Sequence, residues 1–114
     1  MIEYLFSYGI LQKEKIQLEL FGRVLNGAKD GLRSYQLSLI EIKDPVFLSK
    51  GAGKYQKTLI ATKNSKDLID GTAFEITSEE LLVADKYEPV NYKRDKVTLE
   101  SGKEAWIYVA SEAS

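Results

Sequence analysis

Glu88 is the residue of this chain best placed to move a proton. It closes the run Leu81-Leu82-Val83-Ala84-Asp85-Lys86-Tyr87-Glu88 and is followed by Pro89. At helical spacing Leu81, Ala84, Asp85 and Glu88 share one side, so two carboxylates continue a stripe that begins apolar and faces the interior. Desolvation disfavours a charged carboxylate and raises its pKa, which makes a glutamate useful as a general base or acid near neutral pH. The same spacing suits a helix-end acid paired with Lys86 or Arg94, and spacing alone leaves both readings open. A second candidate is the loop Tyr8-Gly9-Ile10-Leu11, whose glycine serves either a plain turn or a close backbone approach to a ligand.

The elements that must position these residues are marked locally. Thr77 and Glu80 have capping-box spacing, and Ile76 and Leu81 occupy the staple positions, so a helix is predicted to start at Ser78. Pro89 disfavours helical geometry at Glu88, which puts the helix end near Tyr87. At the N-terminus Ile2, Tyr4, Phe6 and Tyr8 alternate with Glu3, Leu5 and Ser7, a strand that runs into Gly9. Leu18, Phe21, Val24 and Leu25 predict a helix over Glu14 to Leu25, weakened by Gly22 and stopped by Asn26-Gly27.

Further strands are expected at Tyr35–Ile42, ended by Asp44-Pro45, at Lys57–Thr62 and at Gly71–Ile76, with Asp70-Gly71 as a turn. Tyr92–Glu100 and Ala105–Val109 should pair antiparallel about Ser101-Gly102-Lys103. Residues 44–56 read as a surface connection in preference to a flap. Gly51-Ala52-Gly53-Lys54-Tyr55 is not a phosphate loop, because Leu48 stands where a glycine is required and Tyr55 where a Ser or Thr is. Residues 110–114 read as a polar tail, and Trp106 and most tyrosines as core and core edge. Strands and two helices out of strict alternation favour an α+β domain, with a mixed and strongly curved sheet, over a doubly wound one.

Composition limits the chemistry. The 114 residues suffice for one domain, and 44% hydrophobic with 29% charged residues is ordinary for a globular protein. Sixteen basic against seventeen acidic residues leave a net charge of −1, which offers no field for a polyanion or an anionic membrane. Cysteine and histidine are both absent. That removes thiol and imidazole catalysis and the usual zinc ligand sets, leaving Glu, Asp, Tyr, Lys, Ser and backbone groups. No signal-like segment or long apolar run is seen, so a cytoplasmic protein is expected.

Taken in order, Tyr4-Leu5-Phe6-Ser7-Tyr8-Gly9-Ile10-Leu11, Gly71-Thr72-Ala73-Phe74-Glu75-Ile76, Ala84-Asp85-Lys86-Tyr87-Glu88, Tyr92-Lys93-Arg94 and Ala105-Trp106-Ile107-Tyr108-Val109 form a set. In it the chain resembles the γ-glutamylcyclotransferase-like proteins, including their AIG2-like and γ-glutamylamine cyclotransferase branches. The resemblance runs from about Tyr4 to Val109 and implies a small mixed β-barrel flanked by helices, with the first loop and the glutamate meeting in a cavity at one end. It implies that Glu88 takes a proton from a substrate α-amino group, which attacks its own γ-carbonyl and releases an amine or peptide as 5-oxoproline forms. Backbone N–H groups of Gly9, Ile10 and Leu11 would hold a carboxylate or oxyanion beside Tyr8, and the Tyr92 phenol would add a further contact.

Two positions depart from the family pattern. Ile10 stands where a small hydroxyl residue is usual, and Pro89 where glycine often follows the glutamate. The expected partner is a small γ-glutamyl substrate, without cofactor, metal, nucleic acid or membrane, and the chain is expected to be a monomer or weak homodimer. The alternative is a non-catalytic small-molecule-binding protein of the same fold; base stacking on aromatic residues is a distant third.

Overall fold

In the computed structural model, which describes residues 2–51 and 53–111, the sheet is built outward from β1 (Ile2–Ser7). This strand pairs antiparallel with β5 (Leu68–Thr77), from Ile2 opposite Thr77 to Ser7 opposite Thr72, and parallel with β7 (Glu104–Ala110) at Leu5–Trp106. The outer positions go to β2 (Gly27–Arg33) beside β5 and β6 (Tyr92–Thr98) beside β7, giving the order β2-β5-β1-β7-β6. The hairpin expected between β6 and β7 is present and antiparallel.

Central strands are covered on both faces, so both side-chain sets of the pleat are apolar. Leu5, Ile76 and Tyr108 pack with Leu81 and Ala84 on one side, while Phe6, Ile107 and Val109 pack with Leu32, Leu59 and Ile69 on the other. The helices are α1 (Glu14–Phe21), α2 (Pro45–Leu48) and α3 (Ser78–Tyr87). The predicted bounds of α3 are met at both ends, and its capping box is complete.

The mixed α+β architecture is as expected, but the sheet does not close into a barrel. After β2, Ser34 takes a left-handed φ of 70° and turns the chain away. A separate ribbon of β3 (Tyr35–Glu41) and β4 (Tyr55–Ala61) then pairs only with itself. The ribbon touches β7 through a side chain, the Ala110 N–H donating to Thr58 Oγ1 at 2.9 Å.

Other expectations need correction. The first long helix stops at Phe21, because Gly22 adopts φ 70° and its N–H caps the Leu18 carbonyl. Gly71 lies inside β5, paired with Asp30 of β2, and makes no turn; glycine is needed there because a Cβ would sit 2.6 Å from the Ser7 carbonyl oxygen. β2 was not expected at all. Residues 44–56 are more than the surface connection expected: they contain α2, whose Val46 N–H is capped by Asp44, they bury Phe47 in the core, and Tyr55 and Gln56 already belong to β4. Of the expected tail, Ala110 ends β7 and is buried. Residues 112–114 lie outside the described residues, as does Ala52 of the rejected phosphate loop.

Candidate functional site

A cavity of about 480 Å³ opens between the end of β1, the C-terminal end of α3 and the β3–β4 ribbon. Tyr8, Gly9, Ile10, Leu11, Glu88 and Tyr92, all six residues singled out from the sequence, line it. Tyr108 lines it too and was missed, because its place in an apolar strand run reads as core.

Glu88 is aimed by the end of α3. Its N–H still donates to the Ala84 carbonyl at 3.1 Å, while its φ of −65° and ψ of 154° are extended, as a following proline requires. The side chain therefore leaves the helix at the cavity wall, with Pro89 buried behind it. Glu88 keeps some surface open to the cavity, yet protein crowds it on most sides. Burial pushes its carboxyl pKa up to about 7; Lys50 opposes the shift and the negative charge of Asp85 adds to it.

The ion-pair alternative is not what the geometry gives. Arg94 embraces Asp85, with Nε 2.7 Å from Oδ1 and Nη2 3.1 Å from Oδ2, and among the described residues no cation forms an ion pair with Glu88. Lys50 instead donates to the Tyr87 carbonyl at 3.0 Å and lies 4.8 Å from the Tyr87 ring centroid.

Phenols ring the glutamate. Its charge helps to raise the pKa of Tyr8, Tyr92 and Tyr108, although desolvation is the larger cause for each. They are neutral hydrogen-bonding groups at physiological pH. Tyr8 donates to the Tyr108 backbone carbonyl, and Tyr108 in turn donates to Asp85 Oδ1 at 2.7 Å. The Tyr92 hydroxyl donates to the Lys57 carbonyl at 2.9 Å, tying β6 to the ribbon, and its oxygen can still accept.

The loop after β1 forms one 3-10 turn, Ile10–Gln12. Buried Gln17 holds it from α1, donating to the Leu11 carbonyl at 2.8 Å while accepting from the Leu25 N–H at 2.8 Å. Gly9 has φ −134° and ψ −141°, so no left-handed backbone demands glycine there. A Cβ at Gly9 would meet no atom within 4 Å. Packing therefore does not require glycine at this position.

A sequence profile of the family described as gamma-glutamyl cyclotransferase, AIG2-like, matches residues 5–114. The chain belongs to this family. No curated protein matches it. Among solved structures it is similar in fold to two solution structures from Arabidopsis thaliana. The first has TM-score 0.72 at 16% identity, covering 97% of this chain and 63% of that one; the second has TM-score 0.73 at 18% identity, covering 99% and 71%. It is also similar to a protein titled gamma-glutamyl cyclotransferase, with TM-score 0.66 at 16% identity, covering 96% of this chain and 67% of that one. The chain thus spans less than two thirds of the first Arabidopsis protein, and at these identities the likeness is one of fold. Family membership supports a γ-glutamyl cyclotransferase-like function in general terms. The helix that carries Glu88 is short and ends in the cavity wall, and no described helix is long and apolar enough to cross a membrane.

Proposed function

We propose that the protein cyclises a γ-glutamyl amine or peptide to 5-oxoproline, with Glu88 as general base and then general acid. The observation that carries this reading is a carboxyl group with pKa near 7, free of ion pairing among the described residues, at the wall of a cavity that also contains the Tyr8–Leu11 loop. Such a group is half ionised near neutral pH, where it can both accept and return a proton.

In this mechanism the substrate α-ammonium loses a proton to Glu88, and the freed amine attacks the γ-carbonyl carbon. The new C–N bond closes a five-membered ring, and the bond to the departing nitrogen breaks as the tetrahedral centre collapses. Two protons pass in all from the attacking to the departing nitrogen, so Glu88 ends as it began. Folding the substrate within the cavity makes the attack intramolecular, and this supplies much of the rate. The N–H groups of Gly9, Ile10 and Leu11 are the donors assigned to the substrate carboxylate or the developing oxyanion, and Tyr8 and Tyr92 the flanking hydrogen-bonding groups.

Ile10 supports a second reading, because a loop without a hydroxyl offers one polar contact fewer, and a non-catalytic binder needs none. Mass-spectrometric detection of 5-oxoproline, from a broad panel of γ-glutamyl amines and peptides, separates the two. Product with the wild-type chain and none with Glu88→Gln is expected. No product from either protein would leave the binding reading.

A further inference from the structure

We propose that one face of the β3–β4 ribbon, formed by Leu39, Tyr55 and Lys57, seats the departing amine and selects γ-glutamyl dipeptides whose second residue is large and apolar. This rests on the cyclotransferase reading and names its substrate.

Register places the three residues together. Leu39 lies directly opposite Lys57, and Tyr55 is two positions from Lys57, so all three project from one face of the pleat. All three line the cavity. Leu39 is 68% exposed and Tyr55 59% exposed, so neither contributes its apolar surface to the core. That surface is open to solvent, and burying part of it under an occupant of the cavity favours binding. Ile10 and Leu11 stand on the loop side of the same space.

Charge narrows the occupant further. Among the described residues the cavity is lined by two cations, Lys13 at the loop and Lys57 on the ribbon, and by one acid, Glu88. Among the described residues neither lysine forms an ion pair. A γ-glutamyl dipeptide carries two carboxylates and one ammonium group, the complement of this set. With its ammonium at Glu88 and its glutamyl carboxylate toward the loop and Lys13, the second carboxylate meets Lys57. The side chain of the second residue then lies against Leu39 and Tyr55. A simple γ-glutamyl amine leaves Lys57 unmatched, and a glycine second residue leaves the apolar surface uncovered. Ile10, apolar where the family pattern has a hydroxyl, extends the same preference.

The test compares γ-glutamylphenylalanine, γ-glutamylleucine, γ-glutamylglycine and γ-glutamylphenethylamine by 5-oxoproline release. We expect kcat/KM for the phenylalanine dipeptide to exceed that for the glycine dipeptide and the phenethylamide by about tenfold or more, the scale of discrimination in apolar pockets. Leu39→Ser should collapse the preference over the glycine dipeptide, and Lys57→Gln the preference over the phenethylamide. Equal or better turnover of the glycine dipeptide overturns the proposal while leaving the cyclotransferase reading intact. If neither these four compounds nor the broad panel is turned over, that reading fails, and calorimetric binding of the dipeptides to the wild-type chain decides the ribbon's role. Tighter binding of the phenylalanine dipeptide, lost in Leu39→Ser, upholds the subsite; equal or absent binding removes it.

Discussion

Helix α3 carries a glutamate near each end, and the two live in opposite worlds. Glu80, in the first turn, accepts from both Nε and Nη2 of Arg23 at 2.8 Å and from the Thr77 N–H at 3.0 Å. Hydrogen bonds from Arg23 lead the causes that bring its carboxyl pKa down to about 2. The helix dipole also favours a negative charge at that end. Glu88, eight residues on, caps the end where the dipole disfavours it, has no ion-paired cation among the described residues and has Asp85 nearby. Residue type and helix are shared, so environment alone divides them. Glu80 is locked in one charge state and holds the structure, while Glu88 is free to change state and is the one suited to chemistry.

The largest effect that would break this contrast is on turnover. Glu88→Gln should lower kcat/KM about 10²- to 10⁴-fold, the range for loss of a general base, and near wild-type rates would remove Glu88 from the mechanism. In the wild type the acid limb of kcat/KM should lie near pH 7, following the free-enzyme pKa of about 7. Stability should move the other way. A folded pKa of about 7 against an ordinary 4.5 favours the neutral acid in the folded state, so this contribution is present below pH 4.5 and lost as pH rises through 7. Glutamine is always neutral and keeps it. The variant should therefore gain on the order of 2 kcal/mol over wild type at pH 8, in denaturant melts, and almost nothing at pH 4. A loss at pH 8 would mean that the carboxylate is stabilised, against its burial.

Glu80→Ala is the mirror experiment. It removes half of the capping box and the Arg23 pair, and should cost about 1–2 kcal/mol of stability with turnover unchanged. Because its folded pKa is depressed, the wild-type contribution is present above 4.5 and fades as pH falls toward 2, and so should the difference between the two proteins. A large loss of activity in a folded variant would show that the two ends of the helix are coupled.

Smaller shifts sharpen the picture around Glu88. Asp85→Asn removes a like charge, so the acid limb of the pH profile should move to lower pH; an unmoved limb would mean that the Asp85 charge plays no part in setting it. Gly9→Ala should leave the melting midpoint nearly unchanged, since its Cβ has room, and raise KM if the loop backbone approaches substrate closely. A clear loss of stability instead would make Gly9 a structural residue.

How far the chain could be read depended on the range of the physics involved. Thr77, Glu80 and Pro89 act on their own backbone within a few residues, which is why both ends of α3 were predictable. β2 has no such mark: Gly27-Ala28-Lys29-Asp30-Gly31 offers neither apolar alternation nor β-branched residues. Its glycines are explained by neighbours far away in sequence, for a Cβ at Gly27 would meet the Phe74 ring at 2.6 Å and one at Gly31 would meet Leu68 at 2.9 Å. Tyr108 was read as core for the same reason, its role lying in a bond to Asp85.

The amino-acid order by itself determined the chemical means, with neither imidazole nor thiol in the chain, and the geometry of the one helix end that presents Glu88. It also held the ordered motifs that tie the chain to its family. Only the tertiary structure decided which carboxylate Arg94 would take, how far Glu88 is stripped of water and which ribbon residues line the cavity. Helix caps and proline restraints act through adjacent peptide groups, whereas ion-pair choice and desolvation depend on segments that meet only once the sheet has formed.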